Sequence, residues 1–320
     1  MLGAGNSAAK RIIEISRALP ASNVKMLSIE RILCPVDFSE CSARAYDYAH
    51  SLARHYGAKL FVQHVAVPLD ALYAGYMNHM DHGLIQQVFD QQEANAEENF
   101  RELARNVADG VEQDFAFERG SPAADLILLF AASHEIDLIV MGTHGRRGLD
   151  RLMMGSVVER VLRKARSPVL AVRTSHAAAP KGGEHDVELR RILFCTDFSE
   201  DSPRALEYAL SFAMQYGSEL SVLHVLEGTR NEREIEQQKQ NALASLQQTL
   251  PEEAAQWASI STLVRVGRAY EEIITYAAEM KTDLIVMGVR GRNLVDLALF
   301  GSTTHRVVQL SPCPVLVVRT

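Results

Sequence analysis

Short apolar runs alternate with longer amphipathic stretches along the chain. Arg31–Val36 is a compact apolar run, the pattern of a strand covered on both faces. Beyond it Ala45, Tyr48, Ala49, Leu52 and Tyr56 recur at helical spacing and make one apolar stripe. Ser39 is placed to cap that helix, with Glu40 near its positive end, and Gly57 stands where a helix end favours a left-handed residue. The same reading predicts strands over Leu60–Val67, Val111–Glu118, Asp137–Met141 and Val169–Val172. Helices are predicted over Leu84–Ala108, over Pro122–Glu135 with proline in the first turn, and over Gly155–Ala165.

The pattern then starts again. Arg31–Ser42 reads RILCPVDFSECS and Arg191–Ser202 reads RILFCTDFSEDS, eight of twelve positions identical at an offset of 160 residues. Tyr56-Gly57 and His64-Val65 recur at the same offset. DLIVMG occurs at Asp137–Gly142 and Asp283–Gly288, offset 146, as does the SPVLAVR/CPVLVVR pair ending at Arg173 and Arg319. The first copy therefore carries about 14 additional residues, around Pro68–Gln92. Strands alternating with helices imply right-handed crossovers and, in each copy, a five-stranded parallel sheet with helices on both faces. The expected layout is an extension over 1–27, one domain over 28–174, a linker of small and polar residues over 175–187, and a second domain over 188–320. In the extension, Ile12, Ile13, Ile15 and Leu19 suit a short docking helix and a frayed segment equally well.

Composition narrows the partners. A chain that is 47% hydrophobic and 23% charged has enough apolar residue for packed cores. Its net charge of −7 argues against a broad nucleic-acid or anionic-membrane footprint, and no apolar run approaches the roughly 20 residues that span a bilayer. The four cysteines form no CxxC pair, which favours buried, idle thiols. The extension lacks the apolar core of a signal peptide, so the expectation is a cytoplasmic protein.

In an open parallel sheet, ligands bind beyond the carboxyl ends of the strands. Strand one ends in Asp37, or Asp197 in the second copy, and strand four in Gly142, or Gly288. After strand four both copies fit G-x2-G-x9-G-S, through Gly142, Gly145, Gly155 and Ser156 and through Gly288, Gly291, Gly301 and Ser302. Glycines let a backbone approach a ligand closely and adopt positive φ, and successive N–H groups ahead of a helix N-terminus favour an anion. Ser156 offers a hydroxyl, and Arg146, Arg147 and Arg151 add charge to the first loop, whereas the second has Asn293, Leu294 and Leu297 in place of Arg147, Gly148 and Arg151. Asp37 and Asp197 have a second reading as caps of the following helix. His64 and His224 read as core histidines. His144 lies within the first loop, where the second copy has Arg290, which argues against a catalytic proton role.

These residues resemble the universal stress protein family. RILCPVDFSE is similar to the opening strand of its domain, and DLIVMGTHGRRGLDRLMMGSVVERVLRKARSPVLAVR to its carboxy-terminal half. The resemblance implies tandem flavodoxin-like or adenine-nucleotide α-hydrolase-like domains of strand order 3-2-1-4-5. It further implies a loop that holds the phosphates and ribose of ATP (or ADP or AMP), with the strand-one aspartate near the nucleotide. Carried over by position, Val65 and Val225 meet the adenine; apart from the resemblance, Asp37 is placed to hold Mg²⁺ through water beside the phosphates, which keeps slow hydrolysis open. The leading expectation is an ATP-binding regulatory protein of the stress response, with at most slow ATP hydrolysis. The alternatives are a slow ATPase or nucleotidyltransferase-like enzyme of related fold, and a dimerisation module with a degenerate second site. With strand five at the sheet edge, its unpaired groups invite pairing of the two copies within one chain, and a homodimer of whole chains is compatible with that.

Overall fold

The computed structural model describes residues 26–66, 82–105, 110–145, 154–174, 187–228, 231–251, 254, 259–289 and 301–319. They fall into two compact units. The amino-terminal unit takes residues 29–66, 82–105, 110–145, 154–167 and 187. The carboxy-terminal unit takes 26–28, 168–174 and the described residues from 188 onward.

In the amino-terminal unit the elements run β1 (Arg31–Pro35), α1 (Glu40–Tyr56), β2 (Lys59–Ala66), α2 (His82–Arg105), β3 (Gln113–Arg119), α3 (Ala123–Ser133), β4 (Leu138–Gly142) and α4 (Ser156–Lys164). Strand β1 lies between β2 and β4, and β2 pairs with β3, all parallel. The caps expected for α1 are in place. Ser39 accepts from the Ser42 amide, and Gly57 closes the helix in the left-handed region at φ 66° with its amide on Ala53 O. Pro122 is the residue before the first turn of α3 and not within it, because its backbone is extended at ψ 138°. Ile32, Leu33, Leu52, Leu60, Leu138 and Ile139 are sealed between β1, β2, β4 and α1. Burying such side chains contributes about 1.5–3 kcal/mol each before chain entropy is counted.

The carboxy-terminal unit holds β5 (Val169–Val172), β6 (Arg191–Cys195), α5 (Ser202–Tyr216), β7 (Glu219–Leu226), α6 (Glu232–Thr249), β8 (Ser259–Val266), α7 (Ala269–Glu279), β9 (Leu284–Gly288), α8 (Ser302–Leu310) and β10 (Val315–Val318). β6 lies between β7 and β9, β7 pairs with β8, and β9 with β10, all parallel. β5 belongs by sequence to the first copy, yet it runs antiparallel beside β10, with Val315 opposite Ala171, Leu316 opposite Leu170 and Val317 opposite Val169. Residues 26–28 join it: the Leu27 amide donates to Ser211 Oγ at 3.1 Å, and Gln215 Nε2 donates to Leu27 O at 3.2 Å. The amino-terminal unit contains the counterpart, 160 positions on, where the Val187 amide donates to Ser51 Oγ at 2.7 Å. Each unit thus takes in the segment that precedes the other copy's first strand.

Among the described residues no helix is long and apolar enough to cross a membrane. None of the four cysteines is in a disulfide and all are buried, with burial pushing the Cys34 and Cys195 thiols far above their usual range and Cys313 up to about 12. Such thiols stay protonated and inert.

Candidate functional site

The chain turns sharply after β1 and β6. Phe38 and Phe198 adopt φ of 60° and 61°, a left-handed conformation unusual for a bulky residue. Each ring lies against a histidine of the next strand, Phe38 on His64 at 4.5 Å and Phe198 on His224 at 4.7 Å between centroids. Those histidines anchor the turn from below. His64 Nδ1 is 2.7 Å from Val36 O, and His224 Nδ1 is 2.8 Å from Thr196 O. They are structural, as their place late in the strand suggests.

The turn aims an aspartate at the crevice. Asp37 Oδ1 accepts from the Ser39 amide at 3.1 Å and from Ser39 Oγ at 2.6 Å; Asp197 Oδ1 accepts from the Ser199 amide at 3.1 Å. Asp37 therefore orients the residue that caps α1 without being that cap. Its other oxygen, Oδ2, lies only 2.5 Å from where a Cβ on Gly145 would stand, so aspartate and loop are in close contact.

The loop glycines answer to different demands. A Cβ on Gly142 would meet the backbone carbon, carbonyl oxygen and Sγ of Cys41 at 3.0 Å, so the bareness of Gly142 is what lets the first turn of α1 close on β4. Gly155 precedes α4 with an ordinary extended backbone, φ −67° and ψ 144°, and its amide donates to Thr143 O at 2.9 Å. Among the described residues a Cβ there would meet only Thr143 O at 3.4 Å and Val158 Cγ1 at 3.9 Å. Neither packing nor φ requires glycine at 155. Gly301 matches it in the second copy, at φ −58° with its amide on Val289 O at 3.2 Å. At both helix starts no side chain caps the first turn, which leaves amides facing the crevice.

A cavity of about 400 Å³ opens at the carboxyl ends of β6, β7 and β9, within the roughly 300–1,000 Å³ usual for small-molecule sites. Asp197, Val225, Gly288, Gly301 and Ser302 all line it, together with Leu223 and with Ala269 and Ile273 of α7. Glu227 also lines it, and its Oε1 caps α7 by accepting from the Ala269 amide at 2.6 Å. The two ends thus differ in polarity: open amides at α8, a carboxylate at α7. In the first copy, Asp37 and Gly145 are brought together, while Val65 lies at the end of β2, half-exposed, and Gly142, Gly155 and Ser156 lie at the end of β4 and the start of α4. Arg146 and Gly291, with Arg147, Arg151, Arg290, Asn293, Leu294 and Leu297, lie outside the described residues.

Sequence reasoning missed two features. Asp137 Oδ2 accepts from the amides of Glu30 and Arg31, and Asp283 Oδ2 from those of Arg190 and Arg191, so the aspartate of each DLIVMG staples strand one to strand four. The recurrence of that aspartate was the available signal. Gln63 within β2 was the other, and a polar residue inside an apolar run was its signal. As for metals, no group of three His, Cys, Asp or Glu side chains that could hold an ion occurs among the described residues.

A model described as the universal stress protein family matches residues 28–173 and again 188–319. A universal stress protein of Mycolicibacterium smegmatis is 29% identical over 300 residues, covering 90% of this chain and 96% of its own. One from Methanocaldococcus jannaschii is 31% identical over 144 residues, covering 45% of this chain and 82% of its own. The crystal structure of a universal stress protein from Archaeoglobus fulgidus superposes with a TM-score of 0.61 over 93% of this chain and 98% of its own, at 23% identity, a likeness of fold.

Proposed function

The chain belongs to the universal stress protein family, with two copies of its flavodoxin-like α/β domain, and on that premise we propose that each copy holds an adenine nucleotide, ATP in the first instance. The observation that carries this reading is the second copy's cavity, which gathers Asp197, Val225, Gly288, Gly301 and Ser302 around one space of nucleotide size. The uncapped start of α8 suits phosphate, since N–H groups and the positive end of the helix dipole face it. The strand-two end, with Val225 and Leu223, suits a base. In the first copy Gly145 approaches Asp37 closely, and on this reading Gly142, Gly155 and Ser156 hold the phosphates while Asp37 reaches a phosphate-bound Mg²⁺ through water.

Holding suits the site better than cleaving. His224 is engaged with Thr196 O and Glu227 with the Ala269 amide, so neither is poised to activate water. The protein is thus read as a regulatory, stress-response binder, soluble in the cytoplasm, whose partners respond to nucleotide occupancy. Domain limits of 28–174 and 188–320 fit this reading, and the antiparallel register of β5 on β10 supports pairing of the two copies within one chain.

Gly155→Ala tests the assignment. The methyl finds room in the protein, so folding and melting temperature should stay at parental values. Nucleotide affinity of the first site should fall at least about tenfold, because the Cβ intrudes where backbone meets phosphate. Unchanged affinity would remove Gly155 from the site.

A further inference from the structure

Gln63 is fully buried in β2, 0% exposed, and neither its Oε1 nor its Nε2 has a hydrogen-bond partner among the described residues. Only its backbone is satisfied. Its carbonyl accepts from the Val36 amide at 2.8 Å, and the strand register sets it between Pro35 of β1 and Ala116 of β3. Buried polar groups are nearly always paired, and each one left unpaired destabilises the fold appreciably. A carboxamide with both ends open is therefore a site waiting for something that supplies a donor and an acceptor side by side.

The second copy shows where that carboxamide lies. Leu223 is its counterpart at the offset of 160, in the same register between Cys195 of β6 and Leu263 of β8, with its carbonyl on the Thr196 amide at 3.0 Å. Leu223 lines the cavity, as does Val225 two residues on, on the same face of the strand. Gln63 shares the face that carries Phe61 against Phe130 of α3, the helix corresponding to α7. By this correspondence Gln63 stands on the strand face that, in the second copy, lines the cavity.

Resting on the nucleotide reading, we propose that Gln63 reads the base in the first site, and that the first site selects adenine where the second does not. A glutamine amide pairs two-fold with the adenine edge, donating to N7 and accepting from the N6 amino group. The same edge of guanine offers two acceptors, N7 and O6, and leaves the Gln63 oxygen unpaired. Leu223 makes neither bond and accepts any base of suitable shape. The two copies would then differ in selectivity, one strict and one permissive.

Calorimetric titration of the full chain with ATP and with purine riboside triphosphate, which has hydrogen in place of the N6 amino group, tests this directly. In the parent, one of two sites should weaken about 5- to 150-fold when the amino group is lost, as expected for one bidentate pair. Gln63→Leu, which installs the second copy's residue, should abolish that discrimination and also raise the melting temperature of the nucleotide-free protein. Discrimination retained in Gln63→Leu, or absent from a parent that binds ATP, overturns the role of Gln63 and leaves the nucleotide reading standing. Failure of the parent to bind either triphosphate overturns both.

Discussion

Gly142→Ala and Gly120→Ala place a methyl group against neighbours of opposite character. At Gly120 the new Cβ would stand 2.6 Å from Leu126 Cδ1, the far end of a flexible side chain that has other rotamers. At Gly142 it would stand 3.0 Å from the backbone carbon, carbonyl oxygen and Sγ of Cys41. Distance alone ranks Gly120 as the worse site; the nature of the neighbour reverses the ranking. Leu126 can rotate aside for a few tenths of a kcal/mol. Cys41 belongs to the first turn of α1, which is packed on β4, so the helix itself must shift by roughly half an ångström to restore contact. Overpacking against such a rigid element costs about 1–3 kcal/mol. For a unit of this size that is a fall in melting temperature of about 3–10 °C for Gly142→Ala, against about 2 °C or less for Gly120→Ala. Thermal unfolding followed by circular dichroism, repeated in urea, gives both numbers. A Gly120→Ala variant as destabilised as Gly142→Ala would refute the argument that Gly142 sets the approach of α1 to β4.

Two other outcomes follow from buried polar groups. Asp47 in α1 is half-buried, and that burial lifts its carboxyl from 3.8 to about 6, with Arg44 opposing the rise. A raised native value means this group favours the fold most below pH 4 and loses that contribution as pH climbs through 6. Asp47→Asn should therefore stabilise the protein at pH 8 and not at pH 4; the shift corresponds to about 3 kcal/mol, of which roughly half should appear for a group still reached by water. Equal effects at both pH values in urea titrations would count against the shift. Ser211 is 1% exposed and accepts from the Leu27 amide and from Gln215 Nε2, so Ser211→Ala should cost about 0.5–1.5 kcal/mol by removing the acceptor of two half-buried donors. A denaturation midpoint equal to the parent's would show that residues 26–28 are not held there.

Much of this architecture was legible in the sequence because it rests on local chemistry. Ser39 caps α1 with its side-chain oxygen and Gly57 with its left-handed backbone, and the short apolar runs of β1, β4 and β6 mark strands covered on both faces. The repeat did the rest, since offsets of 160 and 146 align every strand of one copy with a strand of the other. What stayed hidden depends on partners distant in the chain. Nothing near Leu27 points to Ser211, whereas the open edge expected of strand five does point toward the pairing of β5 with β10. Gly142 and Gly155 look alike in the loop pattern, yet one is held bare by Cys41 and the other by none of the described residues. Asp37 combines two readings that the sequence kept apart, because one oxygen orients Ser39 while the other faces Gly145.

Native mass spectrometry of the full chain, with and without ATP and Mg²⁺, tests the central claim most directly by counting bound ligand. The account predicts species carrying one and then two nucleotides per chain, with Asp37→Ala removing one and leaving the other. It also predicts that the loaded chain is the more stable form, by about 2.7 kcal/mol at 100 times Kd for each site that binds only the folded protein. A chain that stays at its bare mass in excess ATP, having carried no nucleotide through purification, would contradict the account.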